Sequence, residues 1–197
     1  MNYREVNSLL DAAAAIDGVL TMSDIRILFN QFSDSAIFKK LAKLVADGVL
    51  IKVKAGVYAL PSVSLEAISQ RMEPQSYIST GTILAKALVI GSIPARRLQA
   101  VKVGRPRTYV CKLGTIEYLS IKEELFFGYD FRLGIKEASP EKAFLDTCYY
   151  YFKGRKFSFD LFEDVNLDRL NMDVIQEALE RYDRRFINFF NTNWGMQ

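Results

Sequence analysis

An α+β fold is predicted by three features of this 197-residue chain. Helical periodicity fills residues 3–47 and gives way to two short runs of β-branched residues around Lys54-Ala55-Gly56. Residues 97–136 are dense in β-branched and aromatic side chains, with Gly104, Gly114, Gly128 and Gly134 between them, which is strand-and-turn punctuation. Apolar stripes at helical spacing return between Pro140 and Phe190. Strands segregated between helical stretches read as α+β rather than alternating α/β.

The elements follow in order. A first helix over Tyr3–Ile16 lines up Val6, Leu9, Leu10, Ala13 and Ala14, and Asp17-Gly18 stops it. Val19-Leu20 is a short extended piece, and Ser23 is placed to cap a second helix carrying Ile25, Ile27, Leu28 and Phe29. A third helix starts at Ser33 or Asp34 and runs to Asp47, with Gly48 as its stop. Val49–Val53 and Val57–Leu60 then form two strands around a tight turn.

Pro61-Ser62-Val63-Ser64 reads as a linker, so residues 1–60 are taken as one domain, 61–66 as the linker and 67–197 as a mixed α/β second domain. That domain opens with a helix over Glu66–Arg71 and another after Ser79 or Thr80. The β-rich middle follows, then a helix capped by Ser139 with Pro140 in its first turn. A last helix is expected over Met172–Phe190, with Ile175, Leu179, Tyr182, Phe186 and Phe190 on one stripe.

Two helices across a short turn followed by a basic hairpin are the outline of a winged helix-turn-helix, whose second helix enters the DNA major groove. On a helical wheel, Ile37, Leu41, Leu44 and Val45 fall on one face of the third helix and Ser35, Lys39 and Lys43 on the other, with Lys40 at the flank. Adding Lys52 and Lys54 gives five lysines over 35–54 against one acid, Asp47. Ammonium groups contact phosphates and fix position, whereas base reading falls to side chains near the helix start, here Ser33 and Ser35. Double-stranded DNA is therefore the first partner expected. A second basic cluster, Arg96, Arg97, Lys102, Arg105 and Arg107, with Lys112 beyond it, contains no acid. It is a candidate for a further phosphate contact or for docking an acidic protein.

Bulk composition excludes other classes. The net charge of +3 is unevenly spread, at +1 over 1–60, +6 over 61–157 and −4 over 158–197. No histidine occurs, and Cys111 and Cys148 stand alone, so no metal site, disulfide framework or histidine-dependent triad is expected. No acid precedes a lysine by two positions as a restriction-type nuclease needs, and no Asp-x-Asp or Asp-x-Glu follows Gly91-Ser92 as a nucleotidyltransferase needs. The expectation is a non-enzyme without cofactor. No apolar run approaches the roughly 20 residues that span a bilayer, and Met1–Glu5 carries no basic n-region. A cytoplasmic location is expected.

Two later stretches add a resemblance. Gly48-Val49-Leu50 and Gly56-Val57-Tyr58-Ala59 close the hairpin. Tyr77-Ile78-Ser79 opens a helix, and Leu125-Phe126-Phe127-Gly128 precedes Ala138-Ser139-Pro140-Glu141-Lys142-Ala143-Phe144-Leu145-Asp146. This order, over about residues 5–185, resembles the AbiEi family of antitoxins from type IV toxin–antitoxin (abortive infection, phage defence) systems. The resemblance implies a repressor binding inverted repeats in its own promoter, with a C-terminal domain that counteracts a nucleotidyltransferase toxin directly or indirectly. Within the Pro140, Glu141, Lys142 and Asp146 segment, Glu141 and Asp146 stand about 140° apart on a helix and do not converge, so a structural role is expected for these residues. The rival reading is a one-component regulator whose second domain binds a small effector, with Tyr149-Tyr150-Tyr151-Phe152, Phe157 and Phe159 as pocket candidates. A third is a toxin-sequestering protein with a vestigial DNA domain.

Overall fold

Leu9, Ala13, Ile25, Phe29, Ile37, Leu41 and Leu44 recur at helical spacing, and all of them are buried in one core with Leu20, Leu50 and Tyr58. The structure is a computed structural model that describes residues 3–195, and it is α+β, with eight α-helices and two sheets among those residues. The chain divides into two units, Met1–Pro74 with Thr108–Ile116, and Gln75–Arg107 with Glu117–Gln197.

In the first unit α1 (Tyr3–Ala14), β1 (Val19–Thr21), α2 (Met22–Leu28) and α3 (Asp34–Ala46) precede a hairpin of β2 (Ile51–Lys54) and β3 (Val57–Ala59). The sheet is antiparallel in the order β1-β3-β2. Each fully buried leucine, isoleucine or phenylalanine in its core contributes about 1.5–3 kcal/mol, so Leu41→Ala at the centre of α3 is the single change that most directly opens it. Gly56 closes the hairpin at φ +76°, a conformation that a side chain would strain. A bulge between Lys52 and Lys54 bends β2 there.

Two expectations are corrected in this unit. Ser23 does not cap α2; Thr21 does, two residues earlier. Asp24 N–H donates to Thr21 Oγ1 (3.4 Å), and the Thr21 N–H donates to Asp24 Oδ2 (2.7 Å), a reciprocal capping box. The boundary falls after Pro74 rather than within 61–66. The reason is α4 (Leu65–Met72), which packs on β1 and whose Arg71 Nη2 donates to both Asp24 oxygens at 3.0 Å. Thr21, Asp24 and Arg71 thus form one relay from strand to helix to helix.

The second unit contains β4 (Ser76–Ile78), α5 (Gly81–Lys86), β5 (Arg97–Val103), β8 (Tyr129–Arg132), β9 (Ile135–Ala138), α6 (Pro140–Phe152), α7 (Met172–Leu179) and α8 (Arg184–Trp194). With β6 (Arg107–Cys111) and β7 (Gly114–Ile121) the sheet runs β6-β7-β5-β4-β9-β8. It is mixed: β4 lies antiparallel to β5 and parallel to β9. Ser139 caps α6 from Lys142 N–H and Pro140 stands in its first turn, as its sequence signal implies. Lys142 through Tyr150 are all buried, so α6 is enclosed on every side.

The single helix expected over Met172–Phe190 is two. Asp183 stands outside helical backbone and accepts the Phe186 N–H (3.0 Å), starting α8 anew. The apolar stripe survives the break, because Ile175, Leu179, Tyr182, Phe186 and Phe190 are all buried. Tyr149 packs on Tyr182 and Phe186, and Phe144 on Phe190 and Trp194, at 5.5–6.0 Å between rings.

Candidate functional site

Helix α3 is amphipathic by its spacing, and burial follows that spacing. Ile37, Leu41 and Leu44 face the core while Ser35, Lys39 and Lys43 are exposed. Lys39 and Lys43 are four residues apart, so their ammonium groups project from adjacent turns of one face. Lys40 does not belong with them. Its Nζ lies 2.8 Å from Glu5 Oε2 and 4.2 Å from the Phe32 ring centre, which ties α3 to α1 and to the preceding turn.

Ser33 is likewise occupied, since its Oγ accepts the Ala36 N–H as the cap of α3 and lies 3.2 Å from Ser35 Oγ. Arg26 grips Asp34 through two hydrogen bonds of 3.0 and 3.2 Å, fixing α2 against the start of α3. That guanidinium holds the Asp34 carboxyl below its usual range. On the hairpin Lys52 is exposed, while Lys54 Nζ sits 4.9 Å from the Tyr109 ring centre. The exposed cationic set on α3 and the hairpin is thus Lys39, Lys43 and Lys52. Phe38, half exposed beside Lys39, and the exposed Ile27 on α2 are apolar surface that the charge pattern did not signal.

The second basic cluster divides. Arg105 and Arg107 are exposed at the turn between β5 and β6, where Gly104 takes φ +97°. Lys102 Nζ lies 5.6 Å from the Tyr118 ring centre, and Arg96 is exposed at φ +61°. Arg97 pairs with Glu117 Oε2 at 3.1 Å. Glu117 also accepts Arg155 Nη2 on Oε1 at 2.6 Å and Gln99 Nε2 on Oε2 at 3.1 Å. Burial opposes charge on Glu117, but hydrogen bonds from Arg155, Gln99 and Arg97 outweigh it and hold the carboxyl below its usual range. The sequence window missed Glu117, Gln99 and Arg155, because the partners come from two strands and the segment after α6.

The segment around Pro140 forms a third polar centre. Lys142 Nζ donates to Asp146 Oδ1 (2.5 Å) and to Tyr182 Oη (3.1 Å). Asp146 Oδ2 accepts from Tyr77 Oη (3.0 Å) and Ser79 Oγ (2.7 Å). Gly128 makes room for Lys142, because a Cβ there would stand 3.0 Å from its Cγ. Burial, and then the Asp146 charge, push the Tyr77 and Tyr182 hydroxyls up, so both stay protonated. Glu141 faces elsewhere and accepts the Asn171 N–H at the start of α7 (3.3 Å). These residues join α6 to β4 and to the segment before α8.

A cavity of about 510 Å³ beside this centre is lined by Phe127, Glu141, Lys142, Val174, Glu177 and Arg181. Of the aromatic residues considered for a pocket, Tyr149 and Tyr150 are buried in the core, and Phe157 lines a smaller cleft near Arg155. Among the described residues no group of three thiol, imidazole or carboxylate side chains gathers as a metal ion requires, and no helix is long and apolar enough to cross a membrane. No protein-family model matches the chain, and no curated protein matches it.

Proposed function

We propose that this chain is a winged-helix DNA-binding regulator of the cytoplasm, and not an enzyme. It represses its own toxin–antitoxin promoter through the first unit and counteracts a cognate nucleotidyltransferase toxin through the second. The observation that carries the DNA-binding half is the exposed pair Lys39 and Lys43 on the face of α3 opposite Ile37, Leu41 and Leu44. A helix that follows a short turn and displays cations outward has the form that docks in a groove. The β2–β3 hairpin with exposed Lys52 supplies an element able to reach a flanking phosphate. The toxin-directed half rests on the resemblance carried by residues 138–146.

The test is binding of the purified chain to duplex DNA from directly upstream of its gene, across a salt series, beside Lys39→Ala/Lys43→Ala. Selective binding that weakens with salt and in the variant supports the reading. Equal, weak affinity for every duplex at low salt overturns it. One observation favours a small-molecule effector as a second reading, namely the cavity of about 510 Å³ in the second unit, a volume within the range of ligand sites.

A further inference from the structure

Glu117 holds two guanidinium groups, and a structural carboxylate needs only one. Arg97 and Arg155 approach opposite oxygens of it at 3.1 and 2.6 Å, and Lys156 lines the same cleft with Ser158 and Phe157. These four charged side chains leave an excess of two positive charges in one place. Arg155 Nε is buried and has no hydrogen-bond partner. A buried donor left unused is destabilising, so its retention calls for an acceptor.

The geometry behind the arginines is held rigidly. Thr80 sits fully buried at φ 52°, ψ −140°, backbone that a β-branched residue adopts only under strain. In that position its Oγ1 donates to Gln99 Oε1 at 2.8 Å, which turns the Gln99 amide so that Nε2 donates to Glu117. A chain of oriented groups, Thr80 to Gln99 to Glu117, thus presets both arginines. The cleft offers about 40 Å³, above the roughly 10–15 Å³ that a single water requires.

We propose that the Arg97–Arg155–Lys156 cleft is a binding site for the phosphoryl group of a small phosphomonoester. A phosphomonoester carries about −1.5 to −2 at neutral pH, which matches the charge excess, whereas a phosphodiester carries one charge and would leave half of it uncompensated. Arginine forks suit such an oxyanion because their N–H groups donate in parallel. Phe157 lines the same cleft, with the Arg155 guanidinium 5.6 Å from its ring centre. This site is independent of the DNA reading, which rests on Lys39 and Lys43.

The experiment is calorimetric titration of the full-length chain with inorganic phosphate, glycerol 3-phosphate and dimethyl phosphate in parallel. The expected result is one saturable, mutually competitive site for the first two and none for the diester. Lys156→Gln, at an exposed position, and Arg155→Lys, which keeps the charge but loses the fork, should each weaken binding roughly tenfold, while Arg105→Gln leaves it unchanged. Tighter binding of glycerol 3-phosphate than of inorganic phosphate assigns the ligand to organic monoesters, and equal binding assigns it to the free anion. Absence of saturable binding by both, equal binding of the diester, or indifference to Lys156→Gln overturns the proposal.

Discussion

Lys142 Nζ stands 2.5 Å from Asp146 Oδ1, one turn along α6, and both side chains are closed to solvent. A buried pair is a weak source of net stability but a severe liability once broken, since the survivor keeps its desolvation and loses its counter-charge. Here Asp146 also accepts two hydroxyl hydrogen bonds, from Tyr77 and Ser79. Lys142→Met is therefore expected to cost roughly 3–5 kcal/mol. Lys142→Met/Asp146→Leu should cost less than the sum of its two single changes, though more than nothing, because both hydroxyls lose their acceptor. Urea unfolding of the four proteins measures this, and strict additivity would contradict the coupled reading.

Lys40 and its neighbours Lys39 and Lys43 are expected to separate cleanly. Lys40→Ala removes a half-buried tie to Glu5 and Phe32 and should lower stability by about 1 kcal/mol with little effect on DNA affinity. Lys39→Ala/Lys43→Ala should do the reverse, leaving stability within about 0.5 kcal/mol and reducing the slope of log K against log salt by about 1 per lysine. Denaturation and fluorescence anisotropy on the same samples decide it. A larger loss of DNA affinity in Lys40→Ala than in the pair would reverse the assignment.

Thr21→Ala removes the capping box of α2, and about 1 kcal/mol of stability should go with it. Ser23→Ala, two residues along, is expected to be neutral because Ser23 is exposed and caps nothing. Thermal melts of the two variants check the contrast.

Acid should unfold the second unit partly through Glu117. Its folded carboxyl titrates below the ordinary value of 4.5, so folding favours the charged form. The stability this contributes is complete above the ordinary value and is lost as pH falls from there through the depressed folded value. Glu117→Gln should lower stability at neutral pH and flatten this acid limb, as read from urea midpoints across the acid range. An unchanged limb would show that the carboxylate is not held by Arg155 and Arg97 in solution.

What was legible in the sequence is what local rules encode. Ser33 before α3, Gly48 after it, and Ser139-Pro140 before α6 each report on backbone groups within one turn, and helical spacing identified Ile37, Leu41 and Leu44 as the inner face. Long-range partnerships were not legible. Glu5 takes Lys40 from the exposed set across 35 residues, and Glu117 takes Arg97 out of an apparently unopposed basic run across 20. Asp183 escaped notice for a different reason: the apolar stripe continues through it in register, so periodicity alone ran two helices together.

The parallel pairing of β4 with β9 orders events in time. Tyr77 and Ser79 meet Asp146 across 69 and 67 residues, and β4 lacks its second neighbour until Ile135–Ala138 has been made. A nascent chain that stops short of α6 therefore carries an open strand edge and two hydroxyls with no acceptor, the kind of species that associates with its own copies. Closing so distant a contact is slow compared with winding a helix. A chain truncated before Asp146 is therefore expected to self-associate rather than to behave as a smaller version of the second unit.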